Sequence, residues 1–396
     1  MSKIEEFLKD EKVEWKKLGD VCEVLDYKRK PITKSKRILG EYPYYGANGI
    51  QDYVNSYIFS GTFILMGEDG SVIKKDNSPI LHWIENGKIW VNNHAHVLGK
   101  LDSKYDLKYI FYYLSTVDVS SIVKGTPPKI NQENMRNIRI PIPSIETQEK
   151  IVEILDKFTN YVTELQAELQ ARTKQYEYYR DMLLSEEYLD KINSKNVKNK
   201  VEFTTLGAVA QINRGASPRP ISQFITEDST GIPWIKIGDI GANSKYVTNT
   251  AQKITSEGAK KSRMLNKGDF IMSNSMSYGR PYILGIDGAI HDGWASISEF
   301  QDILDSDFLY YYLTSSQVQN YWKGKINSSS VSNLNSEIIR SLPIPVIDKK
   351  AQQDIAKKLE KFQALLTDTK ESLPKEIELR QKQYEYYREK LLDCKK

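Results

Sequence analysis

Seven consecutive residues, Lys-Gln-Tyr-Glu-Tyr-Tyr-Arg, occur twice in this chain, from Lys174 to Arg180 and from Lys382 to Arg388. A repeat of that length does not arise from residue propensity. Each copy lies near the end of a long stretch with heptad spacing, and each such stretch follows a long stretch of mixed strand character. The chain is therefore one plan used twice.

The first heptad stretch follows Ile140-Pro141-Ile142-Pro143, an extended segment, with Ser144 as the candidate cap. Its apolar positions are Ile151, Leu155, Phe158, Val162, Leu165 and Leu169, continuing through Arg172 to Tyr176, Tyr179 and Leu183. The steps alternate between four and three residues, the spacing of a coiled-coil seam. A single helix from Glu146 to Leu189 would span roughly 65 Å. The second stretch follows Leu342-Pro343-Ile344-Pro345, with a seam at Ile355, Leu359, Phe362, Leu366, Thr369 and Leu373. It resumes at Ile377, Arg380, Tyr384, Tyr387 and Leu391. Phe158 answers Phe362 at an offset of 204, and Tyr176 answers Tyr384 at 208, so the second helix holds four extra residues. Pro374 sits inside that insertion and is expected to kink or restart the helix. Seams this narrow suit a partner helix, and the expected pairing is antiparallel, with Arg180 and Arg388 closing the two repeats.

The frames before the helices also match. Trp15-Lys16-Lys17-Leu18-Gly19 corresponds to Phe203-Thr204-Thr205-Leu206-Gly207. Strands are expected at Tyr57–Phe59, Thr62–Met66 and Lys88–Val91, and in the second half at Trp234–Ile237 and Asp269–Met272. Short aromatic helices are expected at Tyr109–Leu114 and Phe308–Leu313, followed by turns at Lys124-Gly125 and Lys323-Gly324. Residues 190–200, rich in Lys and Asn, are read as a linker. The resulting fold class is α+β: two similar mixed domains, separated by two long helices that pair as an antiparallel coiled coil in a pseudo-two-fold repeat. The boundaries are 1–144 and 196–347 for the domains, and 145–195 and 348–396 for the helices.

Catalytic patterns are missing from the sequence. There is no Gly-rich loop ending in Gly-Lys-Ser/Thr, and no Gly-x-Gly-x-x-Gly after a strand. Thr126-Pro127-Pro128-Lys129 resembles the Asn-Pro-Pro-Tyr loop of amino-methyltransferases only in its prolines. His94 and His96 would share a strand face, but no third metal ligand is suggested nearby. Cys22 and Cys394 form no disulfide framework, which fits a reducing cytosol. The polar beginning of the chain suggests no signal peptide, and no apolar run reaches membrane-spanning length.

Charge is more informative locally than globally. Across 396 residues, 56 Lys and Arg face 52 Asp and Glu, a net +4. Yet Lys28, Arg29, Lys30, Lys34, Lys36 and Arg37 place six positive charges in ten residues. Arg214 and Arg219 lie in a comparable place in the second half. Lys260, Lys261 and Arg263 form another cluster, and Ser277-Tyr278-Gly279-Arg280 reads as an exposed turn. Asn93 and His94, Lys124 and Lys129, Lys236, and Lys323 with Lys325 complete the candidate DNA contacts. Arg and Lys hold phosphates, and Arg, Asn and Ser also read base edges.

The whole arrangement resembles the type I restriction–modification specificity (S) subunits. The paired helices with the Lys-Gln-Tyr-Glu-Tyr-Tyr-Arg repeat carry the resemblance. So do the segments Tyr42–Ile50 and Pro233–Ile240, which look like parts of target recognition domains, and Thr163–Leu169, which resembles the family's short helical repeats. The resemblance implies a non-catalytic subunit that binds double-stranded DNA at a bipartite target, one half-site per domain. It implies that the helices act as a ruler and that two methyltransferase subunits, then restriction subunits, assemble on the chain in the cytoplasm. No cofactor is expected here; S-adenosylmethionine and ATP would belong to those partners. Two alternatives are a coiled-coil scaffold and a separated part of a fused restriction–methylation enzyme.

Overall fold

A computed structural model describes residues 11–70, 72–196, 200–241, 244–273, 279–328 and 334–393. The chain divides into two units, Met1–Gln166 with Leu373–Lys396, and Ala167–Ser372. Each unit therefore holds one globular domain, the beginning of the long helix that follows it, and the end of the other long helix.

The strands of the first unit are β1 (Glu14–Lys17), β2 (Cys22–Val24), β3 (Tyr42–Gly46), β4 (Gly49–Val54), β5 (Phe59–Gly67), β6 (Leu81–Val91), β7 (Ala95–Lys100) and β8 (Arg139–Ile142). Six of them form one sheet in the order β2-β7-β5-β6-β3-β4. Its centre is buried on both faces, because successive residues of a strand point opposite ways. Ile64 and Met66 of β5 join Leu98, Tyr109 and Ile110 in one core, while Leu65 joins Val97, Ile89 and Val91 in another. The expected strand at Tyr57–Phe59 begins only at Phe59.

The second unit contains β9 (Glu202–Thr205), β10 (Gln211–Arg214), β11 (Ile225–Thr226), β12 (Ile232–Ile235), β13 (Tyr246–Val247), β14 (Gln252–Ile254), β15 (Arg263–Leu265), β16 (Phe270–Ser273), β17 (Pro281–Leu284), β18 (Gly288–Ile290), β19 (Trp294–Ser298) and β20 (Pro343–Val346). Ten of them make two five-stranded sheets, β10-β19-β16-β17-β13 and β11-β14-β12-β18-β15, and β9 pairs with β20. The same alternation divides the core, with Phe270 and Met272 on one side and Ile271 on the other. Lys236 and Ile237, expected in a strand, lie outside it: β12 ends at Ile235, and a 3-10 turn follows over Ile237–Asp239. There the Asp239 carboxylate accepts from Lys236 N at 2.8 Å.

Frames are repeated down to single hydrogen bonds. β1 pairs antiparallel with β8, and β9 with β20, so each Pro-x-Pro segment is a strand of a two-stranded sheet. The repeated Leu-Gly lies on a four-residue helix against the helix before that strand. A Cβ on Gly19 would stand 3.0 Å from Arg136 Cβ, and one on Gly207 2.9 Å from Arg340 Cβ. The aromatic helices, Leu107–Leu114 and Ser306–Thr314, are capped by Asp106 and Asp305. Buried Gln148 and Gln352 then tie each cap to its long helix. Gln148 accepts from Asp106 N at 2.8 Å and donates to Lys104 O and Pro143 O. Gln352 accepts from Asp305 N at 2.7 Å and donates to Ile303 O and Ile347 O.

The long helices run over Ile145–Leu183 and Lys349–Leu392. Ser144 caps the first, its Oγ lying 3.4 Å from Thr147 N. Every expected seam position from Ile151 to Tyr179 is buried or half-buried apart from Arg172. Arg172 is exposed and pairs with Glu168, while Thr173 takes its place on the inner face. In the first unit the Phe158 and Tyr387 rings stack 5.0 Å apart, and in the second Tyr179 and Phe362 stack 5.1 Å apart. The beginning of one helix thus meets the end of the other in each unit, so the pairing is antiparallel.

Three expectations are corrected. The first helix does not continue to Leu189: it stops at Leu183, and a second helix spans Glu186–Asn196, taking in the first part of the expected linker, of which 197–199 lie outside the described residues. Leu184 and Leu189 turn into the second unit's core, and Ser185 Oγ accepts from Tyr188 N at 3.3 Å. The second helix does not restart at Pro374 but runs through it. Proline costs a helix about 3 kcal/mol, and seam burial on both sides offsets this. Finally, Lys323-Gly324 is not a turn but part of the helix Ser316–Ser328. Val318, Trp322 and Ile326 are buried there at four-residue spacing, and that face outweighs the weak helix propensity of one glycine.

Candidate nucleic-acid interface

The first unit gathers its candidate residues around the end of β5. Glu68 follows β5 and Asp69 comes next; Glu68 N donates to His94 O at 2.8 Å. The turn Asn92–His94 leads into β7, and its His94 ring meets the Asp69 carboxylate. Lys129 bridges Asp69 and Lys124 through its backbone, and its Nζ lies 3.1 Å from Glu68 Oε1. Lys28–Lys30, Asn93, His94, Lys124 and Lys129 are separated in sequence, yet they meet at this rim, whereas the later part of the basic run lies against β3 and β4, where Arg37 meets Asp52 and the Tyr44 ring.

Arg29 is the exception within its basic run. It is not a free phosphate ligand, because its guanidinium lies between the Asp26 and Glu68 carboxylates and donates to Ala95 O at 2.9 Å. His96 is fully buried beside it, with Nδ1 2.6 Å from Asp26 Oδ2 and Nε2 2.9 Å from Ile130 O. Burial alone would raise the Asp26 carboxyl. Hydrogen bonds from His96, Gln132 and Val97 N, with the His96 charge, outweigh it and hold the carboxyl below its ordinary value. Asp26, Glu68 and His96 have the spacing of a metal-ligand set. The Arg29 guanidinium pairs with both carboxylates of that set, so the cluster is an ion-pair knot that fixes the root of the basic loop.

Beyond that knot the loop is exposed. Lys28, Lys30, Lys34 and Lys36 face solvent, whereas Arg37 is half-buried. Arg37 donates to Ile32 O at 3.1 Å and Asp52 Oδ2 at 3.2 Å, above the Tyr44 ring. The Tyr53 N–H and the Arg37 guanidinium hold the Asp52 carboxyl below its usual range. Arg37 therefore braces the loop rather than reaching out of it.

The second unit has a comparable centre at the turn before β19. Arg214 Nε donates to Asp292 O at 3.1 Å, and Arg219 lies 3.6 Å from Asp292 Oδ2. Arg263 opposes Ile290 in the β15–β18 pairing, and His291 N donates to Ile235 O beside Lys236. Ser262 Oγ joins Ala216 O to Ile290 O. Arg214, Arg219, Lys236 and Arg263 are thus brought together, with Lys260 and Lys261 on the adjacent helix and its cap. Lys236 is engaged, its Nζ 2.8 Å from Gln252 Oε1, and Lys261 lies over the Phe224 ring. Arg280 is half-buried over Tyr282. Lys323 and Lys325 sit apart on the helix Ser316–Ser328. Ser277 and Tyr278 lie outside the described residues.

The sequence did not point to Asp26, Glu68, Asp69 or His96 as organisers of the rim. Isolated acidic residues and histidines carry no local signal. Nor did it single out Ile38 and Leu39, although two apolar residues closing a basic run are a visible signal.

Two repeated frames, each carrying a rim with exposed basic residues and joined by long helices, are the architecture of a duplicated recognition subunit. The sequence matches the type I restriction modification DNA specificity domain over residues 10–175 and again over 198–379. A protein of Haemophilus influenzae named as a type I restriction enzyme specificity subunit is 33% identical, over 98% of this chain and 98% of its own. A type I restriction enzyme specificity subunit of Escherichia coli is 29% identical, over 100% of this chain and 98% of its own. The crystal structure of a type I restriction-modification S subunit from M. genitalium shares the fold, with a TM-score of 0.56, 16% identity and 98% coverage of both chains. This chain belongs to the type I restriction–modification specificity subunits, and DNA recognition is its role. No described helix is long and apolar enough to cross a membrane.

Proposed function

We propose that this chain directs a type I restriction–modification complex to a bipartite DNA target, each unit reading one half-site. The observation that carries this reading is the duplication: the specificity domain matches twice, and two frames that agree in capping, packing and strand pairing enclose different sheets. A shared frame serves a shared partner, and a changed centre serves a different sequence. Functionally, residues 1–144 and 196–347 act as recognition domains, and 145–195 and 348–396 as spacers. The exposed basic residues on the two rims hold phosphates and approach base edges. The long helices set the gap between half-sites and, with neighbouring surfaces, hold two methyltransferase subunits, to which restriction subunits add. Methyl transfer from S-adenosylmethionine and ATP-dependent cleavage belong to those partners, in the cytoplasm.

The test is to reconstitute the chain with its methyltransferase subunits and sequence the methylated positions on plasmid DNA. A gapped, two-part target is expected. Exchange of residues 198–347 for those of a relative should change one half and leave the other. A continuous target, or methylation that is unaffected when the chain is omitted, would overturn the proposal.

A further inference from the structure

The loop from Tyr27 to Gly40 holds an apolar pair that the fold does not use. Ile38 is 65% exposed and Leu39 82% exposed. Their backbone is nevertheless fixed. Ile38 O accepts from Asn55 N at 3.0 Å. Arg37, beside them, is tied to Ile32 O and Asp52, with its guanidinium 4.2 Å from the Tyr44 ring centroid. The Tyr44 hydroxyl accepts from Ile32 N at 3.0 Å, and Trp90 Nε1 donates to Lys30 O at 2.6 Å. Neither apolar side chain reaches the core without breaking these bonds. A held, water-facing apolar pair gains its burial only from a partner.

The charge around the pair says which partner. Lys28, Lys30, Lys34 and Lys36 are exposed, and no carboxylate of the described residues stands within ion-pair distance of them. Lys34 lies close enough to the Asp52 carboxylate to help hold it low, but exposed ammonium groups with no ion-paired carboxylate still suit a polyanion. The apolar group that a DNA major groove offers is the C5-methyl of thymine. We infer that Ile38 and Leu39 read thymine: the half-site of the first unit presents thymine methyls to these two side chains, while the flanking lysines hold adjacent phosphates. The inference rests on the DNA reading proposed above and adds the base and the residues.

The experiment uses the complex with its methyltransferase subunits and duplexes of its own target, in which uracil replaces thymine one position at a time. Affinity is read by fluorescence anisotropy at fixed salt. The wild type should lose about fourfold for each contacted methyl removed. Ile38→Ala and Leu39→Ala should weaken binding to the thymine duplex by a similar factor, and they should no longer distinguish thymine from uracil. A wild type indifferent to uracil, a half-site without thymine, or equal losses on both duplexes would overturn the inference. Two further outcomes would do the same. One is base unstacking by the wild type, seen as 2-aminopurine fluorescence, that Leu39→Ala abolishes while uracil has no effect; the pair would then be a wedge. The other is a Leu39→Ala chain that fails to assemble with the methyltransferase subunits, which would place the pair in a protein interface. If the wild-type complex shows no sequence-specific binding at all, it is the proposed function that fails.

Discussion

Phe158 and Tyr387 stack with centroids 5.0 Å apart and ring planes 22° from parallel, and Tyr179 and Phe362 repeat the arrangement at 5.1 Å and 8°. Each pair joins a phenylalanine near the start of one long helix to the last tyrosine of the repeated heptad on the other. The identical heptads are thus explained in part by identical tasks. Tyr387 should be replaceable by leucine at a cost of about 0.5–1.5 kcal/mol, the stacking contribution beyond burial. A double-mutant cycle with Phe158→Leu, read by urea unfolding, should return a coupling of that size; additive effects would mean the stack is incidental.

Gln148→Leu should be far costlier than a surface change. The substitution leaves Asp106 N–H, Lys104 O and Pro143 O without their side-chain partner. Each buried polar group left unsatisfied costs about 1–3 kcal/mol. Gln352→Leu should behave alike in the second unit. Thermal melts of the two variants would show whether the two clamps are equivalent.

Acid should loosen the first unit through Asp26. Its carboxyl is held below its ordinary value, so its contribution to stability is present above the unfolded-state value, about pH 4, and is lost as pH falls through the lower folded value. Asp26→Asn should be less stable at neutral pH and should show a flatter dependence below about pH 5. Melting temperatures from neutral to strongly acidic pH check this. A wild type whose stability ignores acid over that range would argue against the knot.

Members of the basic run should divide by role. Lys28→Ala with Lys30→Ala should weaken DNA binding and flatten its dependence on salt, by a slope change of about 0.9 for each phosphate that is no longer neutralised. Arg29→Ala should instead destabilise the first unit, since it leaves Asp26 and Glu68 without their guanidinium. Salt titrations of binding and urea unfolding separate the two effects. A stable Arg29→Ala chain with a reduced salt slope would reverse the assignment.

Four residues inserted within Thr163–Leu169 should lengthen the first helix by roughly 6 Å while keeping its seam nearly in phase. The methylated target should keep both half-sites, with a gap longer by no more than about 2 bp, at about 3.4 Å per step. Two inserted residues rotate the seam by roughly 200° and should abolish methylation. New half-site bases with an unchanged gap would refute the ruler.

By itself the sequence determined the duplicated plan, the two seams, the Pro-x-Pro strands and the aromatic helices. These are periodic or repeated, and periodicity is local information. Helix limits were legible only where a cap or a break has a local cause. Ser144 was visible, but the stop at Leu183 was not, because it follows from Leu184 and Leu189 entering a core built by distant residues. Arg29 shows the same limit at the candidate site. In sequence it is one of six cations in a basic run. Only the tertiary structure, by bringing Asp26, Glu68 and His96 from separate elements around it, made it an anchor and left its lysine neighbours exposed. Which charges meet solvent depends on where their counter-charges fold, and neither composition nor spacing holds that information.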